Sequence, residues 1–166
     1  MCYQAGIDSN QRIPASVSLE TAALLEPLSV AIHATRRASV EAGDTVVVFG
    51  AGTVGLLVAA MARLNGATTV MITDLDSGRV DYAVRNGFAT KGFIVSKRKY
   101  PAYVNDVGEK LAVAKDLAND VIAEACASEP DFEGADVTFD CTGKEMCMQA
   151  GLYVSTFTPR WFKKRR

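Results

Sequence analysis

The sequence predicts an α/β protein: a doubly wound parallel β-sheet, incomplete at about four strands, with helices on both faces. Three observations carry that expectation. Short apolar runs rich in β-branched residues alternate with longer stretches of helical periodicity, the pattern of repeated strand–helix–strand units. The first run, VVVF at 46–49, passes directly into GAGTVG at 50–55, and a helical stretch follows. The second run ends in Asp74, 19 residues beyond Gly55. Right-handed crossovers then restrict the four strands to the spatial order 3-2-1-4.

Each element has its own local reason. Residues 17–38, VSLETAALLEPLSVAIHATRRA, are helical with an interruption at Pro27. Ser18 is placed to cap the first piece, and Pro27 suits the first turn of the second, where a missing N–H costs little. TVVVF (45–49) suits a strand buried on both faces. The stretch from Thr53 to Gly66 is a helix ended by Asn65-Gly66. TTVMITD (68–74) is the second strand, and SGRVDYAVRNG (77–87) a helix again closed by Asn-Gly. GFIV (92–95) is a short third strand, followed by a polar connection over 96–105. Asp106 and Glu109 form a capping-box variant. The helix they open is expected to bury Leu111, Ala114, Ala118, Val121, Ile122 and Ala125 on one face and to end at Ser128-Glu129-Pro130. ADVTFDCTG (135–143) is the fourth strand with its turn, and 144–155 is helical.

Composition narrows the function. A chain of 166 residues has room for one domain with a real core. Its 49% hydrophobic and 22% charged content is ordinary for a globular protein, and a net charge of −1 supplies no global field for nucleic acid or an anionic membrane. No apolar run approaches the ~18 residues of a membrane span, and the first residues do not resemble a signal peptide. Cys2, Cys126, Cys141 and Cys147 form no C-x-x-C pair. Free thiols of this kind fit a reducing compartment, so the cytoplasm is expected.

The glycines and the acid point to a ligand. Three glycines alone could serve a tight strand–helix turn, but here strand, turn, helix and acid fall in register. Gly50 can make the turn out of the sheet, Gly52 leaves room for backbone to approach a pyrophosphate, and Gly55 allows close packing of the new helix. The helix N-terminus at Thr53 offers amide groups and a positive dipole end. Asp74 stands where an acid accepts hydrogen bonds from the adenosine ribose, and its charge would repel a 2′-phosphate, which favours NAD over NADP. Arg79 is the complication, since an arginine there could hold a phosphate or lie along the ribose. S-adenosylmethionine sites place an acid just before the glycines, where this chain has Phe49. FAD sites usually lie near the chain start with Glu at the second strand. A nicotinamide dinucleotide in a Rossmann-type fold is the expectation.

Several stretches also resemble a known family. LETAALLEPLSVAIHATRRAS (19–39), GAGTVG, ITDLDSGRV (72–80) and DVTFDCTGKE (136–145) are similar to the zinc-dependent medium-chain polyol dehydrogenases, in particular the sorbitol, xylitol and arabinitol group of fungal type. The resemblance runs from about Ile13 to about Thr156, and ALLEPLSVAIHA is its most specific part. It implies NAD-linked oxidation of a secondary alcohol of a polyol to a ketose, assisted by zinc, in a homo-oligomeric family. It implies that Glu26 matches the carboxylate beside the catalytic zinc, and that Gly50, Gly52 and Gly55, with Thr53 and Val54, match the pyrophosphate turn. Asp74 and Arg79 match the ribose contacts. Cys141, Thr142 and Gly143 match the turn that borders the cofactor.

The departures from that family matter as well. Its main zinc ligands, a Cys and a Gly-His-Glu, lie in an N-terminal catalytic domain with no counterpart here, and the single histidine is His33. Catalytic zinc needs about three protein ligands, so Glu26 alone is not expected to hold it. The expected organisation is a linking segment (1–38), a truncated dinucleotide-binding domain (39–157) and a non-homologous basic tail (158–166) containing Trp161-Phe162 and KKRR. Two functions follow. One is the cofactor domain of a polyol dehydrogenase active only in full-length form. The other is a catalytically dead NAD-binding module or regulatory fragment. A product without function is a third possibility.

Overall fold

The computed structural model describes residues 12–97, 99–100, 106–128 and 132–155. Cys2, Pro130 and the basic stretch at 158–166 lie outside them. The elements in chain order are α1 (Leu19–Ala23), α2 (Leu25–Arg37), β1 (Thr45–Phe49), α3 (Thr53–Leu64), β2 (Thr69–Asp74), α4 (Ser77–Arg85), β3 (Lys91–Ile94), α5 (Val107–Ser128), β4 (Val137–Asp140) and α6 (Glu145–Val154). The four strands form one parallel sheet in the order β3-β2-β1-β4, as expected.

Alternation along the strands builds two cores. Val46 and Val48 of β1, with Val70 and Ile72 of β2, pack on one face beneath Ala31 of α2, Val58, Ala59 and Ala62 of α3, and Ala83 of α4. Val47, Phe49 and Met71 face the other way, against Leu117, Ala118, Val121 and Ala125 of α5 and Cys147, Ala150 and Val154 of α6. Because successive side chains point to opposite faces, a run with no polar residue serves both cores at once. All of Val46, Val47 and Val48 are wholly buried. Each such valine contributes about 1.5–3 kcal/mol relative to exposure, so β1 is the energetic centre of the fold.

Local signals are satisfied as read. The Ser18 hydroxyl accepts from the Thr21 amide at 3.2 Å, and Pro27 lies in the first turn of α2. The Asp106 carboxylate accepts from the Glu109 amide at 2.9 Å. Asn65 and Asn86 are the C-caps of α3 and α4, each followed by a glycine of positive φ, so both Asn-Gly pairs stop their helices as expected. Three details differ. β3 begins one residue earlier than GFIV, and Val95 follows it as a buried residue. On α5, Leu117 is buried, whereas Leu111, in the second turn of the helix, is 40% exposed. β4 is confined to 137–140, and Ala135 instead makes an isolated parallel bridge to Ser155.

Parallel pairing also aligns the strand ends. Phe49 is level with Thr73 on one side and with Asp140 on the other. The segments that follow, beginning at Gly50, Asp74 and Cys141, therefore emerge along one edge. That edge includes the point between β1 and β4 where the winding reverses, the place where such sheets form a crevice. Among the described residues no helix is long and apolar enough to cross a membrane.

Candidate functional site

The turn after β1 is built by steric necessity. Gly50 has φ +100°, a conformation costly to any residue with a Cβ. A side chain there would also meet Thr142 Cγ2 at 3.0 Å and the Cys141 carbonyl at 3.2 Å. At Gly55 a Cβ would stand 1.9 Å from the Gly50 carbonyl oxygen, so only glycine lets α3 start this close to β1. Gly52 is the opposite case. A Cβ at that position would meet nothing within 4 Å, so the turn is open above it. As the N-cap of α3, Gly52 contributes no side-chain hydrogen bond, which leaves the amides of the first turn to a ligand or water.

The turn is fastened to its neighbours. The Gly50 amide donates to the Thr73 carbonyl at 2.7 Å, and the Cys141 amide to the Phe49 carbonyl at 2.8 Å. Asp74, at the end of β2, accepts from the Ala51 amide at 2.7 Å on one carboxylate oxygen and from the Asp76 amide at 3.0 Å on the other. Asp140 plays a similar part after β4, accepting from the Thr142 amide at 2.9 Å and the Thr142 hydroxyl at 2.6 Å.

These turns open into a cavity of about 840 Å³. Of the residues singled out in the sequence, Gly50, Gly52, Asp74, Arg79, Cys141 and Thr142 line it. Thr53, Val54, Gly55 and Gly143 lie in the same turns without lining it: Thr53 is exposed, Val54 packs against the core and Gly55 is buried under Gly50. The remaining wall was not apparent from the sequence. Val95 and Tyr100 supply an apolar floor, with Val113 of α5. Lys97, Lys110, Lys144, Glu145 and Gln149 supply a polar rim. Lys144 and Glu145 directly follow Gly143, a proximity that could have drawn them in. The others come from segments distant along the chain.

Electrostatics favour an anion. Arg79, Lys97, Lys110 and Lys144 line the cavity against two carboxylates, Asp74 and Glu145. One of each is paired, since Lys110 Nζ lies 3.0 Å from Glu145 Oε2 and ties α5 to α6. The thiols are uncharged. Burial, reinforced by the nearby Asp140 charge, pushes Cys141 up to about 11, and burial likewise raises Cys147. Burial also raises Tyr100 to about 12, helped by its hydrogen bond to Asp120. That bond, with Lys99 Nζ 2.7 Å from Asp120 Oδ1, anchors the wall segment to α5. The Lys99 hydrogen bond first, and Tyr100 second, hold Asp120 below the usual carboxylate range.

The same residues do not make a metal centre. Among those described, no group of three His, Cys, Asp or Glu side chains is placed to hold a metal ion. Glu26 and His33 are both exposed on α2, and neither lines the cavity. No step through zinc is therefore assigned to these residues.

Comparison with known proteins places this geometry. No family model matches the sequence. The chain is 37% identical over 153 residues to the "Probable D-xylulose reductase A" of Aspergillus clavatus, covering 92% of this chain and 37% of that protein. It is 35% identical over 144 residues to the D-xylulose reductase A of Aspergillus niger, covering 86% of this chain and 35% of that one. Among solved structures, the 2R,3R-butanediol dehydrogenase of Bacillus subtilis superposes with a TM-score of 0.58 at 29% identity, over 88% of this chain and 35% of that chain. The chain thus spans little more than a third of the length of the curated relatives it matches. The four-strand order, the glycine turn and these similarities agree: over most of its length the chain is similar to one part of D-xylulose reductases and of a 2R,3R-butanediol dehydrogenase.

Proposed function

We propose that the chain is the dinucleotide-binding unit of a polyol dehydrogenase, that its cavity takes NAD, and that the whole protein oxidises a secondary alcohol of a small polyol to a ketose. The observation that carries this is the glycine turn, fastened to Asp74 and open above Gly52, at the mouth of an 840 Å³ cavity. Residues 39–157 form the dinucleotide unit in this proposal, and 1–38 the link to the rest of the family fold. Free thiols at Cys126, Cys141 and Cys147 support a cytoplasmic setting. The partners are small molecules and further copies of the protein rather than nucleic acid or membrane.

Bound NAD would supply the hydride acceptor. The chain's own residues bind and orient it. The amides of Thr53, Val54 and Gly55 offer hydrogen bonds to the pyrophosphate, and the α3 dipole adds attraction. Asp74 has lone pairs left for ribose hydroxyls, and its charge disfavours a 2′-phosphate, so NAD is preferred to NADP. Arg79 covers the ribose, while Cys141, Thr142 and Gly143 border the turn from β4. Neutral thiols at Cys141 and Cys147 add no negative charge against the phosphates. Glu26 joins a zinc site only together with ligands other than the described residues. Titrating the chain with NAD and with ADP-ribose by calorimetry tests the proposal, and a folded sample that binds neither overturns it.

The second function, a catalytically dead NAD-binding module, draws support from the lack of a three-ligand group among the described residues. NAD reduction with sorbitol or xylitol and added zinc separates the two. Metal-dependent turnover rules out the dead module.

A further inference from the structure

The Asp74 carboxylate has a geometry that ribose recognition does not require. Its Oδ2 accepts from the Ala51 amide inside the glycine turn at 2.7 Å, and its Oδ1 accepts from the Asp76 amide at 3.0 Å. One side chain thereby joins the β1–α3 turn to the β2–α4 turn with no ligand bound. Ala51 is 2% exposed, so its amide has little access to water as an alternative acceptor. Gly50 and Gly52, on either side of Ala51, both line the cavity. With Gly50 at φ +100°, Gly52 extended, and no side-chain cap on α3, Asp74 is the one side chain that the structure shows holding the turn by a hydrogen bond, among the described residues.

We propose that Asp74 is a positioning residue for the phosphate-binding turn, in addition to any contact with ribose. It holds the turn in its receptive shape before the dinucleotide arrives. This rests on the proposal that the cavity takes a dinucleotide. The carboxylate has about four acceptor positions, so two can serve the backbone while two remain for sugar hydroxyls. Asparagine in its place keeps only one acceptor oxygen, so it cannot accept from the Ala51 and Asp76 amides together; the bridge between the two turns is broken, and the receptive turn becomes a fraction of a mixture. Affinity for any ligand held through the turn falls by that fraction, whether or not the ligand has ribose hydroxyls.

A pair of ligands separates the two roles. ADP presents both ribose hydroxyls and the diphosphate, whereas 2′,3′-dideoxy-ADP presents only the diphosphate. The full 166-residue chain and its Asp74→Asn and Asp74→Glu variants are titrated with both by calorimetry. The expected result is a loss of about tenfold for dideoxy-ADP in Asp74→Asn, the size of one charge-assisted hydrogen bond to a buried amide, with a further loss for ADP. Asp74→Glu keeps the charge and the hydroxyl acceptors but carries one more methylene, so it cannot bridge both amides at these distances. It is expected to lose dideoxy-ADP affinity as Asn does, and it keeps the experiment decisive should the Asn variant fail to fold. A folded variant that binds dideoxy-ADP as tightly as the parent, while losing ADP, overturns the positioning role and leaves the dinucleotide proposal standing. Failure of the unsubstituted chain to bind either ligand overturns the dinucleotide proposal itself.

Discussion

Replacing Gly55 by alanine adds one methyl group at the tightest point of the structure. The new Cβ would stand 1.9 Å from the Gly50 carbonyl oxygen and 2.9 Å from its carbon, both backbone atoms that cannot rotate away. A carbon–oxygen contact is comfortable only beyond about 3.3 Å, so α3 must withdraw from β1 by more than about 1 Å. The helix presses Val58, Ala59 and Ala62 onto Val46, Val48, Val70 and Ile72. A gap of about 0.5–1 Å already forfeits a quarter to a half of each such contact. Overpacking of this kind costs about 1–3 kcal/mol, and an unyielding backbone partner places Gly55→Ala at the upper end, about 3 kcal/mol. For a domain of this size that lowers the melting temperature by roughly 6–12 °C. Circular dichroism melts measure it directly. Gly52→Ala is the control, because its Cβ meets nothing within 4 Å and costs only about 0.5 kcal/mol as a poorer helix cap. The control should melt near the parent yet bind ADP more weakly, since the methyl group enters the open space that the proposed function gives to the phosphate. Should Gly55→Ala melt within a degree of the parent, the account of a turn dictated by helix–strand contact is wrong.

Three further expectations follow from the wall of the cavity. Because Cys141 is raised to about 11 in the folded chain, against about 8.5 for an unfolded thiol, the stability it contributes is fully present below pH 8.5 and lost as pH rises toward 11. Urea midpoints should fall across that window by more in the parent than in Cys141→Ser, and parallel curves would count against it. Tyr100→Phe removes the hydroxyl that donates to the Asp120 carboxylate and costs about 1–2 kcal/mol in urea unfolding, with no measurable change refuting the anchor. The Lys110–Glu145 pair is half exposed, so a double-mutant cycle should return less than about 1 kcal/mol, shrinking further in 1 M salt.

What was legible in the sequence and what was not divide along a physical line. The glycine turn was readable because its demands are local: Gly50 and Gly55 are five residues apart, and the helix they launch has no other way to sit on β1. The capping positions Ser18 and Asp106 were readable for the same reason, each acting on an amide three residues ahead. The cavity wall was not. Tyr100 and Asp120 are 20 residues apart, and Lys110 and Glu145 are 35 apart. Nothing in either member of these pairs announces the other, since a lysine or a tyrosine between elements reads as solvent-facing until the helices are packed. Leu111 misled for a related reason. Helical phase places it on the same stripe as Ala114 and Ala118, but phase does not say how much of that stripe a packing partner covers.

Asp74 shows how a distant partner can still be legible. It is 23 residues from Ala51, beyond any local rule. Parallel strands, however, carry their register to their ends. With Phe49 level with Thr73, the next residues on each strand, Gly50 and Asp74, must also lie side by side, and the acid reaches the turn with no further information. The same register on the other side sets Phe49 level with Asp140 and brings Cys141 against Gly50. Three turns from three strands converge because β1 and β2 are buried along nearly their whole length and cannot slip by one residue without turning every side chain over, and β4 takes its register from its pairing with β1. The core therefore does more than stabilise the fold. By locking the register of β1, β2 and β4, it sets the height of each turn, and the candidate site is the place where those heights agree.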